Sequence, residues 1–153
     1  MSWFGLFKKS EDFFSEKEKE QIVAAIQQAE KRTSGEIRVF VESRCRFVNP
    51  LDRAAELFFG LKMDKTEQRN GVLVYVAIKD KQLAVYGDEG IHQKVGEKFW
   101  QTAVAKMIQL FKGKNYGDGL AGIVTEIGNA LQEHFPYTDD DKNELPDDII
   151  FGK

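Results

Sequence analysis

Residues 71–90 read GVLVYVAIKDKQLAVYGDEG, and the fold is decided in this stretch. From Val72 to Ile78 no polar side chain interrupts the run except the Tyr75 hydroxyl, which predicts a central strand covered on both faces. Lys79 to Gln82 reads as a turn, and LAVYG returns as an antiparallel hairpin partner. With Lys79 and Gln82 flanking the turn, Gly71 is expected opposite Gly90. Asn70 and the loop before it then meet Asp88 and Glu89 at one edge of the sheet.

Upstream, EIRVFVES (36–43) alternates, with Ile37, Val39 and Val41 on one side and Arg38, Phe40 and Glu42 on the other, as in a strand. Between these strands Asn49-Pro50 opens a helix, asparagine as cap and proline in the first turn, with Leu51, Ala54, Ala55, Phe58 and Leu61 as its apolar stripe. Strand, helix and strand form a βαβ crossover, which predicts parallel pairing of the two strands. An earlier helix starts at Ser15, whose capping box is completed by Glu18, and carries Ile22, Val23, Ile26 and Ala29. Downstream of Gly87, a short helical turn joins a long helix from Phe99 to Phe111, broken by GKNYGDG (113–119). Asp118 is expected to cap a last helix bearing Leu120, Ile123, Val124, Ile127 and Leu131.

Residues 1–14 read as a leader, 15–136 as one domain, and 137–153 as an acidic linker followed by a docking segment. In the leader, Phe13 and Phe14 tuck against the first helix, while Trp3, Phe4, Leu6 and Phe7 beside Lys8 and Lys9 offer at most a weak membrane contact. Asp139 to Asp141 reads as a solvated linker. In NELPDDIIFG (143–152), Ile149, Ile150 and Phe151 would each lose about 1.5–3 kcal/mol of burial if left in water, so the segment should dock as an added edge strand. The expected class is α/β, a three-layer α/β/α sandwich around a small mixed sheet of about four strands.

Length and composition narrow the function. At 153 residues the chain suits one core without disulfide or structural metal, and its single cysteine, Cys45, excludes an internal disulfide framework and a four-thiolate zinc site. Net charge is −3 with scattered lysines and arginines, which argues against a nucleic-acid groove. The N-terminus lacks the continuous apolar region and small-residue cleavage site of a signal peptide, and no run reaches the ~20 apolar residues of a membrane span. The expected compartment is the cytoplasm.

No phosphate loop of the GxxxxGK type occurs, no GxGxxG follows a strand, and HExxH, GxSxG and DxDxT are absent. The two histidines, His92 and His134, lie far apart and read as helix residues rather than ligands. What remains is a set of oxygen donors in loops: Asp64, Thr66, Glu67, Gln68 and Asn70 from one segment, Asp88 and Glu89 from another. Carboxylates and carbonyl-type donors in flexible loops suit a hard divalent cation. The plain alternative is that they are cap and turn residues facing water.

SGEIRVFVES (34–43), RAAELF (53–58), RNGVLVYVAIKDKQLAVYGDEGI (69–91) and FKGKNYGDGLAGI (111–123) together resemble the TPM domain family, in its stand-alone bacterial form. That family includes thylakoid-lumen phosphatase-like proteins and many bacterial membrane-tethered proteins, and its fold is an α/β/α sandwich. The resemblance implies divalent-cation sites, Ca²⁺ first and Mg²⁺ or another divalent ion second. By position, Asp64, Glu67, Asn70, Asp88, Glu89 and Asp118 are the candidate ligands, and no catalytic residue is assigned. The function it implies is a cation-binding module with a regulatory or protein-interaction role. The alternative is a metal-dependent acid phosphatase acting on phosphomonoesters. Two departures stand out. Relatives commonly carry DNG where this chain has Arg69-Asn70-Gly71, so Arg69 either pairs with a neighbouring acid or weakens one ion site. Typical relatives also have a signal peptide and a membrane helix, and neither is legible here.

Overall fold

A computed structural model describes residues 10–137 and 148–152. After a 3₁₀ turn at Ser10–Phe13 come α1 (Glu16–Glu30), β1 (Glu36–Glu42), α2 (Pro50–Gly60), a 3₁₀ turn at Met63–Lys65, β2 (Gly71–Ala77) and β3 (Gln82–Gly87). α3 (Glu89–Val95), α4 (Glu97–Lys112), α5 (Tyr116–His134) and β4 (Ile150–Phe151) complete the chain. The expectations on Trp3 to Lys9 and on Asp139 to Asp141 lie outside the described residues. No helix among those described is long and apolar enough to cross a membrane.

The strands form one mixed sheet in the order β3-β2-β1-β4. β1 and β2 run parallel from Glu36↔Gly71 to Glu42↔Ala77, as the crossover through α2 requires. β4 pairs with β1 through Phe40↔Ile150 and Val41↔Phe151, so the C-terminal segment supplies the fourth strand. It is parallel to β1, and Ile149 beside it is buried.

Local signals act where the sequence places them. Ser15 and Glu18 form the reciprocal capping box at the start of α1. The Asn49 side chain accepts from the Leu51 amide at 2.9 Å, with Pro50 at the first helical position.

Two cores flank the sheet. Ile37, Val39 and Val41 of β1 and Val72, Val74 and Val76 of β2 pack with Ile22, Ile26, Leu120, Ile127 and Leu131. On the opposite face Phe40, Leu73, Tyr75 and Ala84 pack with Ala54, Phe58 and Met63. α1 and α5 meet closely: a Cβ at Gly128 would lie 2.6 Å from the Ala29 Cβ, so only glycine allows this approach.

The hairpin register differs from expectation. Ala77 pairs with Gln82 and Val72 with Gly87, so Gly71 faces Asp88 rather than Gly90. Ile78 and Lys79 continue the ladder with β1, donating to the Glu42 and Ser43 carbonyls at 2.9 and 2.7 Å. The turn is therefore Ile78 to Lys81, closed by Lys81 at φ 54°. The Asp88 amide donates to the Gly71 carbonyl at 2.9 Å, so the two acidic segments still converge. Asp118 is also corrected: the last helix begins at Tyr116, Asn115 holds the cap position, and Asp118 lies in the first turn.

Candidate functional site

At the N-terminal ends of β1 and β2 the loop before Asn70 lies against the start of α3. Gly90 makes this possible, because a Cβ there would sit 2.1 Å from the Gln68 carbonyl oxygen and 2.6 Å from that of Arg69. The Gly90 amide donates to the Arg69 carbonyl at 2.8 Å, and the Ile91 amide to the same oxygen at 3.3 Å. Arg69 itself takes the left-handed region at φ 52°, which is costly for a side-chain-bearing residue.

That conformation aims Arg69 at Asp88. Its Nε and Nη2 donate to Oδ2 and Oδ1 of Asp88 at 2.7 and 2.8 Å, a two-pronged ion pair on a buried carboxylate. Asp88 Oδ1 also accepts from the Glu89 amide at 2.8 Å, so one side chain caps α3 and binds the guanidinium. Arg69 Nη1 reaches Glu89 Oε1 at 3.2 Å. The Asp88 hydrogen bonds, opposed by burial and supported by the charges of Asp88, Glu89 and Asp64, push the Arg69 pKa further up.

The structure thus brings Asp88 and Glu89 onto Arg69, while Asp64, paired with Lys65 at 3.6 Å, adds only its charge to the surroundings of that guanidinium. Asn70 is buried and structural: its Nδ2 donates to Ser34 Oγ at 3.1 Å and its carbonyl accepts from the Glu36 amide at 3.4 Å. Glu67 is exposed in the turn. Asp118 accepts from Gln21 Nε2 at 2.7 Å near the start of α5. Because the far end of α5 leads to Pro136, which bridges Thr33 beside β1, Asp118 is about 25 Å from the Asp88 edge and takes no part in it. Oxygen-only donors fit a hard divalent ion. A guanidinium is at the centre of this set, and among the described residues no group of three or more His, Cys, Asp or Glu is placed so as to hold a metal ion.

At the opposite end of the parallel strands is a site that the sequence reading did not identify. Glu42 closes β1 on the α2 side and is buried. It accepts from Arg53 Nε at 2.9 Å and Nη2 at 3.0 Å, while Arg53 Nη1 binds Glu56. The Tyr75 hydroxyl donates to Glu42 Oε2, and Cys45 is close by. Burial first, then the Glu42 bond, raises the Tyr75 pKa well above the ordinary phenol range, so the phenol stays protonated. The available signal was the β1 alternation, which puts Glu42 on the same side as the first turn of α2 and hence Arg53.

A family model described as the TPM domain matches residues 7–130. The chain is 43% identical to the BA42 protein of the psychrophilic bacterium Bizionia argentinensis, known from an NMR structure. The TM-score is 0.81, with 90% of this chain and 94% of that one covered. The N-terminal domain of cg2496 from Corynebacterium glutamicum superposes with a TM-score of 0.61 at 14% identity, over 77% of this chain and 74% of that one. An N-terminal domain from P. gingivalis gives 0.62 at 18% identity, over 82% and 83%. These last two likenesses establish the fold alone. No curated protein matches the chain.

Proposed function

The chain belongs to the TPM domain family, and from that premise we propose that it is a binding module whose Asp64–Asp88–Glu89 edge takes a divalent cation, Ca²⁺ in preference to Mg²⁺. One observation carries this reading: Asp88 and Glu89 hold a cation that the loop before Asn70 supplies, and the charge of Asp64 in that loop acts on the same guanidinium. Arg69 is the resident cation, and its side chain is 37% exposed, so it can leave toward solvent as an ion enters. Ca²⁺ is favoured because it accepts irregular oxygen sets from flexible loops, whereas Mg²⁺ demands a near-octahedral one. Bound there, the ion ties the 64–70 loop to α3 and fixes the surface that they share.

The test is thermal unfolding and amide NMR of the intact protein in chelator and in millimolar Ca²⁺, with Arg69→Ala alongside. An ion at 100 times its dissociation constant adds about 2.7 kcal/mol of stability. Amide shifts should cluster at residues 64–70 and 87–91, and Arg69→Ala should bind more tightly because a competing cation is gone. Unchanged midpoints and unchanged amides in both proteins would sink the reading.

A further inference from the structure

We propose that the crevice at the C-terminal ends of β1 and β2 is a second site, which holds a small organic anion through its carboxylate or phosphate oxygens. Its position follows from the topology. β1 has β2 on one side, reached through the α2 crossover, and β4 on the other, so the C-terminal end of β1 lies between the α2 connection and the end of β4. In open α/β sheets ligands lodge outside the carboxyl ends of the strands. Here it has a volume of about 710 Å³, within the range of small-molecule pockets.

The walls carry the chemistry. Four cationic side chains, Arg44, Arg46, Arg53 and Lys79, line the crevice against two carboxylates, Glu42 and Glu56. This local excess of positive charge contrasts with a chain whose net charge is −3. Both carboxylates are already bound to Arg53, whose fork is filled by Glu42 Oε1 and Oε2 and by Glu56. Arg53 is thereby held in the wall by the buried Glu42–Tyr75 pair and cannot collapse into the cavity.

Arg44 and Arg46 stand at the exposed rim, and Arg44 is anchored by a single 3.2 Å bond from Nη1 to Asp80 Oδ1. The other Asp80 oxygen accepts from the Cys45 amide at 2.6 Å, which fixes the loop carrying both arginines. Arg44 therefore keeps donors for a planar oxyanion, the geometry that guanidinium forks match best. Phe40 and Phe47 add apolar wall, so an organic body beside the anionic group gains contact that a bare ion does not. The seven-residue strand β1 separates this crevice from the acidic edge by about 20 Å, so the two sites do not share a ligand.

The experiment is an NMR titration of the intact protein with phenyl phosphate, with benzoate, and with sodium chloride at matched ionic strength. Saturable shifts at residues 43–47 and at Gly152 are expected with at least one organic anion and not with chloride. The anion that saturates at lower concentration identifies the oxyanion. Arg44→Ser with Arg46→Ser, both at exposed positions and outside the buried network, should weaken binding more than about tenfold. One charge-assisted hydrogen bond is worth at least that factor. Lys94→Ser, an exposed cation on α3 at the other end, should leave this binding unchanged. Shifts that merely follow ionic strength, or binding indifferent to the double substitution, overturn the proposal.

Discussion

Arg69 grips both carboxylate oxygens of Asp88, from Nε at 2.7 Å and Nη2 at 2.8 Å, across the 19 residues that separate them in sequence. The pair joins the loop before β2 to the N-terminus of α3, and it places the chain's own positive charge against Asp88 and Glu89. Asp88 has two roles, ion-pair partner and helix cap, so Asp88→Ala should lose at least the ~1 kcal/mol of a missing cap. For a chain of this size that lowers the unfolding midpoint by about 3 °C or more. Arg69→Lys keeps the charge but not the fork, and should still loosen the 64–70 loop. Hydrogen exchange at the Gly90 and Ile91 amides reads that loosening directly, because both donate to the Arg69 carbonyl.

Gly90→Ala tests the approach of the two segments rather than their charges. The new Cβ would lie 2.1 Å from a backbone oxygen, which no rotamer change relieves. Overpacking of this kind costs about 1–3 kcal/mol. The variant should also lose calcium-induced shifts at residues 64–70 while folding normally elsewhere. A stable variant with an unmoved loop would mean that the two backbones can part at little cost.

The parts of the fold legible in sequence were those fixed by neighbouring residues. Ser15 with Glu18, Asn49 with Pro50, and the apolar run after Gly71 each declare an element within a few positions. The apolar Ile149-Ile150-Phe151 segment also declared its need for cover. What failed were choices made by distant partners. The hairpin register slipped because Ile78 and Lys79 stay bonded to β1, which no local turn rule anticipates. Asp118 and Asn115 are both reasonable caps, and docking of α5 against α1 decides between them. The acidic edge was half visible: Asp88 and Glu89 do meet the loop before Asn70, but through Arg69. The basic crevice escaped because Arg44, Arg53 and Lys79 come from three segments that only parallel pairing at Glu42↔Ala77 brings together.

Tyr75 gives the fold an alkaline weakness. Its folded pKa is raised, by burial and then by Glu42, above the ordinary phenol value of about 10 that the unfolded chain retains. Above that pH the unfolded chain releases the proton while the folded chain keeps it, so stability is full below pH 10 and falls as pH rises beyond it. Unfolding midpoints measured from pH 9 to pH 11 should fall less steeply in Tyr75→Phe than in the natural protein. Parallel slopes would place the Tyr75 hydroxyl in water.

Glu42 and Arg53 should behave as a unit. Their side chains are 8% and 24% exposed, so Arg53→Ala strands a buried carboxylate and should cost about 3 kcal/mol. Glu42→Gln with Arg53→Met removes the stranded charge and should recover much of that loss, giving a coupling well above zero in a double-mutant cycle. Additive losses would show that the two groups are separately solvated.

The C-terminal strand offers a test of how much a two-residue ladder contributes. Ile150 and Phe151 pair with Phe40 and Val41, the Gly152 amide donates to the Val41 carbonyl at 2.7 Å, and Ile149 is 6% exposed. Few hydrogen bonds hold the segment, so apolar burial must anchor it. Ile149→Asp therefore removes the main attraction and adds the desolvation of a charge, and should cost at least the ~1.5–3 kcal/mol of burying an isoleucine. Because Gly152 lines the basic crevice, the same substitution should also move the amides of residues 43–47, although Ile149 is not among the residues lining it. Undocking would expose the β1 edge, so the variant should associate at high protein concentration, as measured by sedimentation. A monomeric Ile149→Asp protein of unchanged stability would mean that β4 merely rests on β1.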